Sequence, residues 1–290
     1  MNKKRPSEIL FDGFNVCFLV LFSVICFYPM YYVAVASLSN SSMFLAHRGL
    51  LLKPLGFSTN AYSMVFRNPM IVQGYLNTGF IIIVGVTLNL LMTALGAYVL
   101  SRNGVLLKNL IMKIIIFTMF FSGGLIPTYL LVRGIGLYNK IWALILPNAI
   151  STFNLIIMRT GFMAIPISLD ESARIDGAND YRILFRIILP LSMPVIAVLL
   201  LYYSVAHWNS WFSAMIYLRE RSLYPIQLIL REILIANSTE AMLGDSSDVA
   251  QIGETVKYAT IIVTTLPILF VYPFLQRHFI KGIMIGALKG

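Results

Sequence analysis

Residues 166–190 read PISLDESARIDGANDYRILFRIILP, a polar insert between two long apolar runs. Ser168 followed three residues later by Glu171 has the form of a capping box. Its hydroxyl is expected to cap backbone amides while the carboxylate reaches back. Asp170 and Glu171 in the first turn suit the positive end of the helix dipole. Gly177 is the residue type that closes such a helix in a left-handed conformation. A second amphipathic segment, Asp180–Leu189, then runs into Pro190. The expected product is a short helix with a bend behind it, projecting from an apolar body. The other use of such a segment is to lie flat on lipid headgroups.

Outward from this insert the chain is apolar. Of 290 residues, 58% are hydrophobic and 12% charged, far from the soluble average. A hydrocarbon core is crossed by about 20 apolar residues. Stretches at about 14–38, 76–100, 109–132, 141–164, 191–217 and 257–280 meet that length. None alternates like a strand, so the expectation is an all-α integral membrane protein with six transmembrane helices. Pro127, Pro147, Pro194, Pro267 and Pro273 interrupt these runs, which a bundle tolerates because neighbouring helices re-satisfy freed backbone groups. The division is then a short N-terminus (1–13), a six-helix domain (14–280) with outer loops at 39–75 and 218–256, and a tail (281–290).

Charge orients the spans. With the N-terminus inside, inner segments carry Arg102, Lys108, Arg159, Arg174, Arg182 and Arg186 besides the basic termini. The two long outer loops hold fewer cations for their length, as the positive-inside rule requires. Residues 166–190 fall in the cytoplasm and both termini lie on that side. The net charge of +10 therefore reflects membrane orientation and not a nucleic-acid partner. Asn2–Arg5 and Ala34-Val35-Ala36 have features of a cleaved leader, but the apolar run between them exceeds the 7–15 residues of a signal-peptide core.

The residues that could do chemistry are few. No phosphate-binding loop, H-E-x-x-H or G-x-S-x-G element occurs. Cys17 and Cys26 stand nine positions apart on one helix and face opposite ways. No catalytic group and no metal site is expected. Residues Tyr202–Tyr217, YYSVAHWNSWFSAMIY, are the best candidates for contact with a solute, Trp208 lying about 25 Å beyond Pro190. Tyr203, His207, Trp208, Asn209 and Trp211 join flat apolar faces to hydrogen-bonding edges, which suits sugar rings. An aromatic girdle at the bilayer interface uses the same rings, though it requires neither His207 nor Asn209. Asn148, Ser151 and Asn154 are further polar groups in apolar spans; such groups also simply bond neighbouring helices. Residues 58–69 read as a short helix begun near Ser58 or Thr59 and closed at Asn68-Pro69.

The spacing in the insert carries a resemblance. Glu171, Ser172 and Ala173 are followed by three residues and Gly177, then by nine residues and Ile187, Leu189 and Pro190. This resembles the EAA loop of ATP-binding-cassette (ABC) importer permeases, with Ser172 in place of an alanine. Residues 75–78 and the closing QRHFIKGIMIGALKG, with Gly282, Gly286, Lys289 and Gly290, resemble carbohydrate permeases of the maltose type. The resemblance implies a type I ABC importer permease (MetI-like) fold with a cytoplasmic coupling helix in a bacterial inner membrane. It assigns ATPase coupling to Ser168, Asp170, Glu171, Ser172, Ala173, Asp176, Gly177 and Ala178. The implied partners are a second homologous permease, two ATPase subunits (identical or different), an extracytoplasmic sugar-binding protein, an oligosaccharide and membrane lipid. ATP and magnesium would be bound by the ATPases, with no cofactor in this chain. The alternative function is an ion-coupled secondary carrier, which would place ionisable groups near the midplane; His207 is the one titratable residue deep in an apolar span.

Overall fold

A computed structural model describes residues 6–242 and 254–270. Helix dominates, and the single strand-like feature among the described residues is an antiparallel bridge between Ser39 and Phe57. The tail motif, Asp245 and Asp248 lie outside the described residues. The described residues form two compact units, residues 6–69 with 232–242 and 254–266, and residues 70–231 with 267–270.

In the first unit, α1 (Pro6–Ser37) is a 32-residue helix, about 48 Å long at 1.5 Å per residue. Phe11, Phe14, Phe18, Leu21 and Phe22 are exposed along it, an apolar surface that calls for lipid or a protein neighbour. Only its C-terminal end is packed. Val35 and Ala36 are buried with Phe44 and Leu51, and the rings of Tyr32, Phe44 and Tyr258 meet at 5.5 to 6.2 Å between centroids. Tyr28 Oη accepts from Leu51 N–H at 3.1 Å, and Tyr31 Oη donates to Leu52 O at 2.7 Å. Asn40 caps α2 (Ser41–Ala46) through its side-chain oxygen. Helix α3 (Asn60–Arg67) starts after Thr59 and stops at Asn68, where the sequence placed it.

The second unit is organised around α4 (Pro69–Ser101), 33 residues long and begun earlier than the span expected at 76. Three other expected spans are not single rods. The stretch 109–132 divides into α5 (Lys108–Phe120) and α6 (Leu125–Gly134), bent by 109° across a Ser122-Gly123-Gly124 break. The stretch 141–164 divides into α7 (Trp142–Ile145), a 3-10 turn holding Pro147, and α8 (Thr152–Met163), with a 53° bend. The insert supplies α9 (Ile167–Ile175) and α10 (Asp180–Ile183). A π-helical stretch (Leu184–Ile188) and α11 (Leu189–Leu191) then meet α12 (Met193–Trp208) at 85°. The stretch 191–217 breaks again at Asn209-Ser210 before α13 (Trp211–Tyr217). Apolarity reports compatibility with lipid and carries no information on straightness.

By length and composition, two described helices can cross a membrane alone, or up to five spans if each bent pair counts as one. The region 218–256 is more than a connector, since α14 (Ile226–Met242) occupies much of it. The last helix among the described residues, α15, covers residues 254–270.

Two apolar clusters hold the second unit. One joins Ala97, Met158, Phe162 and Leu199 to Ala173, Ile183, Leu184 and Ile188 of the polar insert. The other joins Ile81, Val132, Leu144 and Ile145 to Ala214, Tyr217 and Leu228. The insert is thereby anchored by its own apolar residues and not merely hung from a loop.

Candidate functional site: a capped knob and a polar pocket

Helix α9 begins at Pro166, whose φ of −56° and ψ of 130° form the N-cap without a side-chain hydrogen bond. This corrects the capping box. Because Pro166 starts the helix, Ser168 lies within it, and neither it nor Glu171 caps. The C-terminal end follows expectation. Gly177 has φ +77°, with Ala178 N–H donating to Ala173 O at 2.9 Å and Gly177 N–H to Arg174 O at 3.0 Å. That pair of bonds is a Schellman closure. Asp170 and Ala173 face inward, while Ser168, Glu171, Ser172, Ile175 and Asp176 are exposed, Ile175 at 87%. A helix this short holding an isoleucine in solvent presents a face that no neighbour among the described residues covers.

Polar links tie the knob to α4. Arg174 Nε donates to Asp170 Oδ2 at 3.4 Å, and its Nη2 donates to Asp180. Hydrogen bonding to Asp180 raises the Arg174 guanidinium above its already high ordinary pKa. Tyr98 Oη, near the end of α4, donates to Asp180 Oδ1 at 3.3 Å. Asn179 caps α10 by accepting from Arg182 N–H at 2.9 Å.

A polar pocket of about 380 Å³ opens between α8 and α12, within the 300–1,000 Å³ range of small-molecule sites. Asn148, Ser151, Asn154, Tyr203, His207 and Asn209 all line it, joined by Ser210, Ser213 and Phe212. Its walls are fixed from α4. Asn89 Nδ2 donates to Asn148 O at 2.7 Å and to Ala149 O at 2.9 Å, and Asn89 Oδ1 pairs with His207 Nε2 at 2.7 Å. Tyr203 Oη meets Thr93 Oγ1 at 2.7 Å and accepts from Ser151 N–H at 3.2 Å. Ser151 Oγ caps α8 at Asn154. Gly85 lets His207 sit against the α4 backbone, since a Cβ there would stand 2.7 Å from Nε2. Replacing Tyr203 with phenylalanine leaves Thr93 and the Ser151 amide without this partner. Thermal unfolding of the purified protein should register a loss of about 1 kcal/mol.

Trp208 and Trp211 lie outside the lining. Trp208 is buried, its indole N–H has no acceptor among the described residues, and its ring is 6.4 Å from that of Tyr75. Trp211 packs beside the apolar cluster with the Arg231 guanidinium 4.6 Å over its ring. The turn at Asn209-Ser210 places Trp211 on α13, beyond the pocket side of α12, whereas Trp208 ends α12 itself, about 100° around the helix from His207. Asn89, Thr93, Ser210 and Ser213 were missed; Asn89, an isolated amide in an uncharged helix, was the available signal.

The whole chain resembles known proteins. The family model described as binding-protein-dependent transport system inner membrane component matches residues 1–285. The chain belongs to this family. The polygalacturonan/rhamnogalacturonan transport system permease protein YtcP of Bacillus subtilis (strain 168) is 42% identical over 285 residues, covering 97% of this chain and 99% of that protein. The arabinooligosaccharides transport system permease protein AraQ of Halalkalibacterium halodurans is 26% identical, covering 99% of this chain and 100% of AraQ. The crystal structure of a bacterial ABC transporter involved in the import of the acidic polysaccharide alginate contains a chain that superposes with a TM-score of 0.87 at 31% identity. The match covers 96% of this chain and 100% of that one. The bends that break the expected rods thus belong to an ABC importer permease fold. This inner membrane component is a translocation subunit, and the ion-coupled reading finds no support in the family.

Proposed function

We propose that this permease is one membrane subunit of an ATP-driven ABC importer that carries an oligosaccharide into the cytoplasm. The observation that carries the reading is the neutral pocket of amides and hydroxyls set in apolar helices. Such groups pair with sugar hydroxyls, and Tyr203 and Phe212 offer aromatic surface. The names of YtcP and of the alginate importer make acidic plant- or algal-type oligosaccharides the first class to test. Amide N–H groups also suit a uronic carboxylate.

The proposed assembly adds a second homologous permease, two ATPase subunits holding ATP and magnesium, and an extracytoplasmic binding protein. Both termini and α9 face the cytoplasm. Closure of the ATPases bears on the exposed face of α9, at Glu171, Ser172 and Ile175. Motion then has two routes to the pocket. One runs from Arg174 and Asp180 through Tyr98 into α4, which carries Asn89 and Thr93. The other runs through α10 and the π-helical stretch into α12, which carries Tyr203 and His207. The hydrogen bonds between α4 and α12 are those that shape the pocket. The knob therefore moves the walls and touches no solute.

Uptake of labelled oligogalacturonides into proteoliposomes holding the whole complex and its binding protein tests this reading. Transport should require internal ATP. Asn154→Leu should lower uptake about tenfold, equivalent to roughly 1.4 kcal/mol, and leave ATPase binding intact. Uptake that persists without the ATPases and collapses with an uncoupler would contradict the proposal.

A further inference from the structure

A second cavity, distinct from the solute pocket, lies at the α9 end of α4. It measures about 590 Å³ and is lined by Leu95, Tyr98, Val99, Arg102, Arg174 and Asp180 among others. Arg102 is only partly exposed, and its Nε and Nη2 are buried with no acceptor among the described residues. Its guanidinium carbon lies 5.0 Å over the Tyr98 ring, which holds the group in place without satisfying those N–H donors. Shielded donors of a cation left unmatched are costly, and an anionic acceptor relieves that cost.

The neighbouring charges leave Arg102 in excess. Asp180, the acidic lining residue, is engaged by Arg174 and by Tyr98. Lys108 Nζ donates to Arg102 O at 2.8 Å, bringing a second cation to the same turn. Leu95 and Val99, two turns and one turn back along the helix, give the cavity an apolar side together with Leu184, beside the polar Asn103 and Tyr181, and Val99 is exposed. No charged residue occurs between Arg67 and Arg102. Arg102 is thus the first charge at the end of an uncharged membrane helix, where a headgroup lies.

We infer that Arg102 binds the phosphate of an anionic phospholipid whose acyl chain runs along Leu95 and Val99, with Lys108 adding positive charge at the same turn. The phosphate oxygens accept from Arg102 Nε and Nη2 in the forked geometry guanidinium favours. Apolar wall and cation are ordered along α4 as an amphiphile requires. A free phosphate would use the cation and ignore the wall. The position beside Asp180 and Tyr98 ties this lipid to the helix end on which the knob is fastened.

The test uses the assembled transporter in nanodiscs with phosphatidylglycerol carrying a photoreactive acyl chain. Labelling should map to residues 95–102 of this chain. Unlabelled phosphatidylglycerol should compete, whereas phosphatidylcholine and millimolar inorganic phosphate should not. Arg102→Gln should reduce labelling about tenfold, and Arg102→Lys should restore only part of it, since lysine keeps the charge without the fork. Assembly, read by co-purification of all subunits, controls for misfolding of either variant. Equal labelling of Arg102→Gln and the unaltered chain overturns the site. Competition by phosphatidylcholine overturns the charge requirement, and competition by inorganic phosphate overturns the lipid assignment.

Discussion

Gly177→Val is expected to uncouple transport, lowering sugar uptake about tenfold or more for an energetic defect of roughly 1.4 kcal/mol, while the protein still inserts in the membrane. The cause lies in the backbone. Nothing stands within 4 Å of a Cβ built at this position, but its φ is +77°. A side chain in this left-handed region costs about 1–2 kcal/mol, and a β-branched residue tolerates it least. Relief would open the bonds from Ala178 to Ala173 and from Gly177 to Arg174. Helix α9 would then fray at the residues that connect it to Asp180 and Tyr98. Asparagine tolerates the left-handed region, so Gly177→Asn should retain most coupling. The measurement is sugar transported per ATP hydrolysed by the reconstituted complex, with both variants compared at equal incorporation.

Asn89→Leu should both destabilise the permease and abolish uptake. One side chain serves Asn148 O, Ala149 O and His207 Nε2. Removing it strands two carbonyls and a ring nitrogen, each at about 1–3 kcal/mol when buried without a partner. Interhelical bonds in membranes average only about 0.6 kcal/mol, so a total near 3 kcal/mol is expected. The break between α7 and α8 would lose its support, and the pocket would lose its shape with it. Thermal unfolding and uptake are the two readouts. A variant with normal stability and normal uptake would show that the pocket walls do not depend on α4.

The parts of this molecule that were legible from sequence have local causes. Gly177 marks a helix end because few other residues adopt its backbone angles, and α3 starts after Ser58-Thr59 and stops at Asn68-Pro69 because those residue types favour helix starts and stops. The capping box failed for an equally local reason: Pro166 opens α9 before Ser168 can act as a cap. The bends at Gly123-Gly124 and at Asn209-Ser210 were hidden, since an apolar run has the same composition whether straight or folded back; at Pro147 the interruption was visible and the size of the bend was not. The aromatic run 202–217 suggested a binding surface of Tyr203, His207, Trp208, Asn209 and Trp211. Tyr203, His207 and Asn209 line the pocket and neither tryptophan does: Trp208 lies on another face of α12, and the turn at Asn209-Ser210 carries Trp211 away on α13. Asn89 stood out in the sequence as an amide in an uncharged helix, but its role and that of Thr93 rest on long-range pairing with the turn at Asn148-Ala149 and with α12, which no spacing along α4 encodes.

The account stands or falls on the exposed face of α9 meeting the ATPase. Cys17 and Cys26 are free and exposed, so both are first replaced by alanine. A single Ser172→Cys is then cross-linked in membranes holding the assembled complex. The expected product joins this chain to an ATPase subunit, and its yield changes when ATP is trapped in the complex. Labelling of that cysteine by an impermeant thiol reagent from outside intact cells, with no cross-link to the ATPase, would contradict the account.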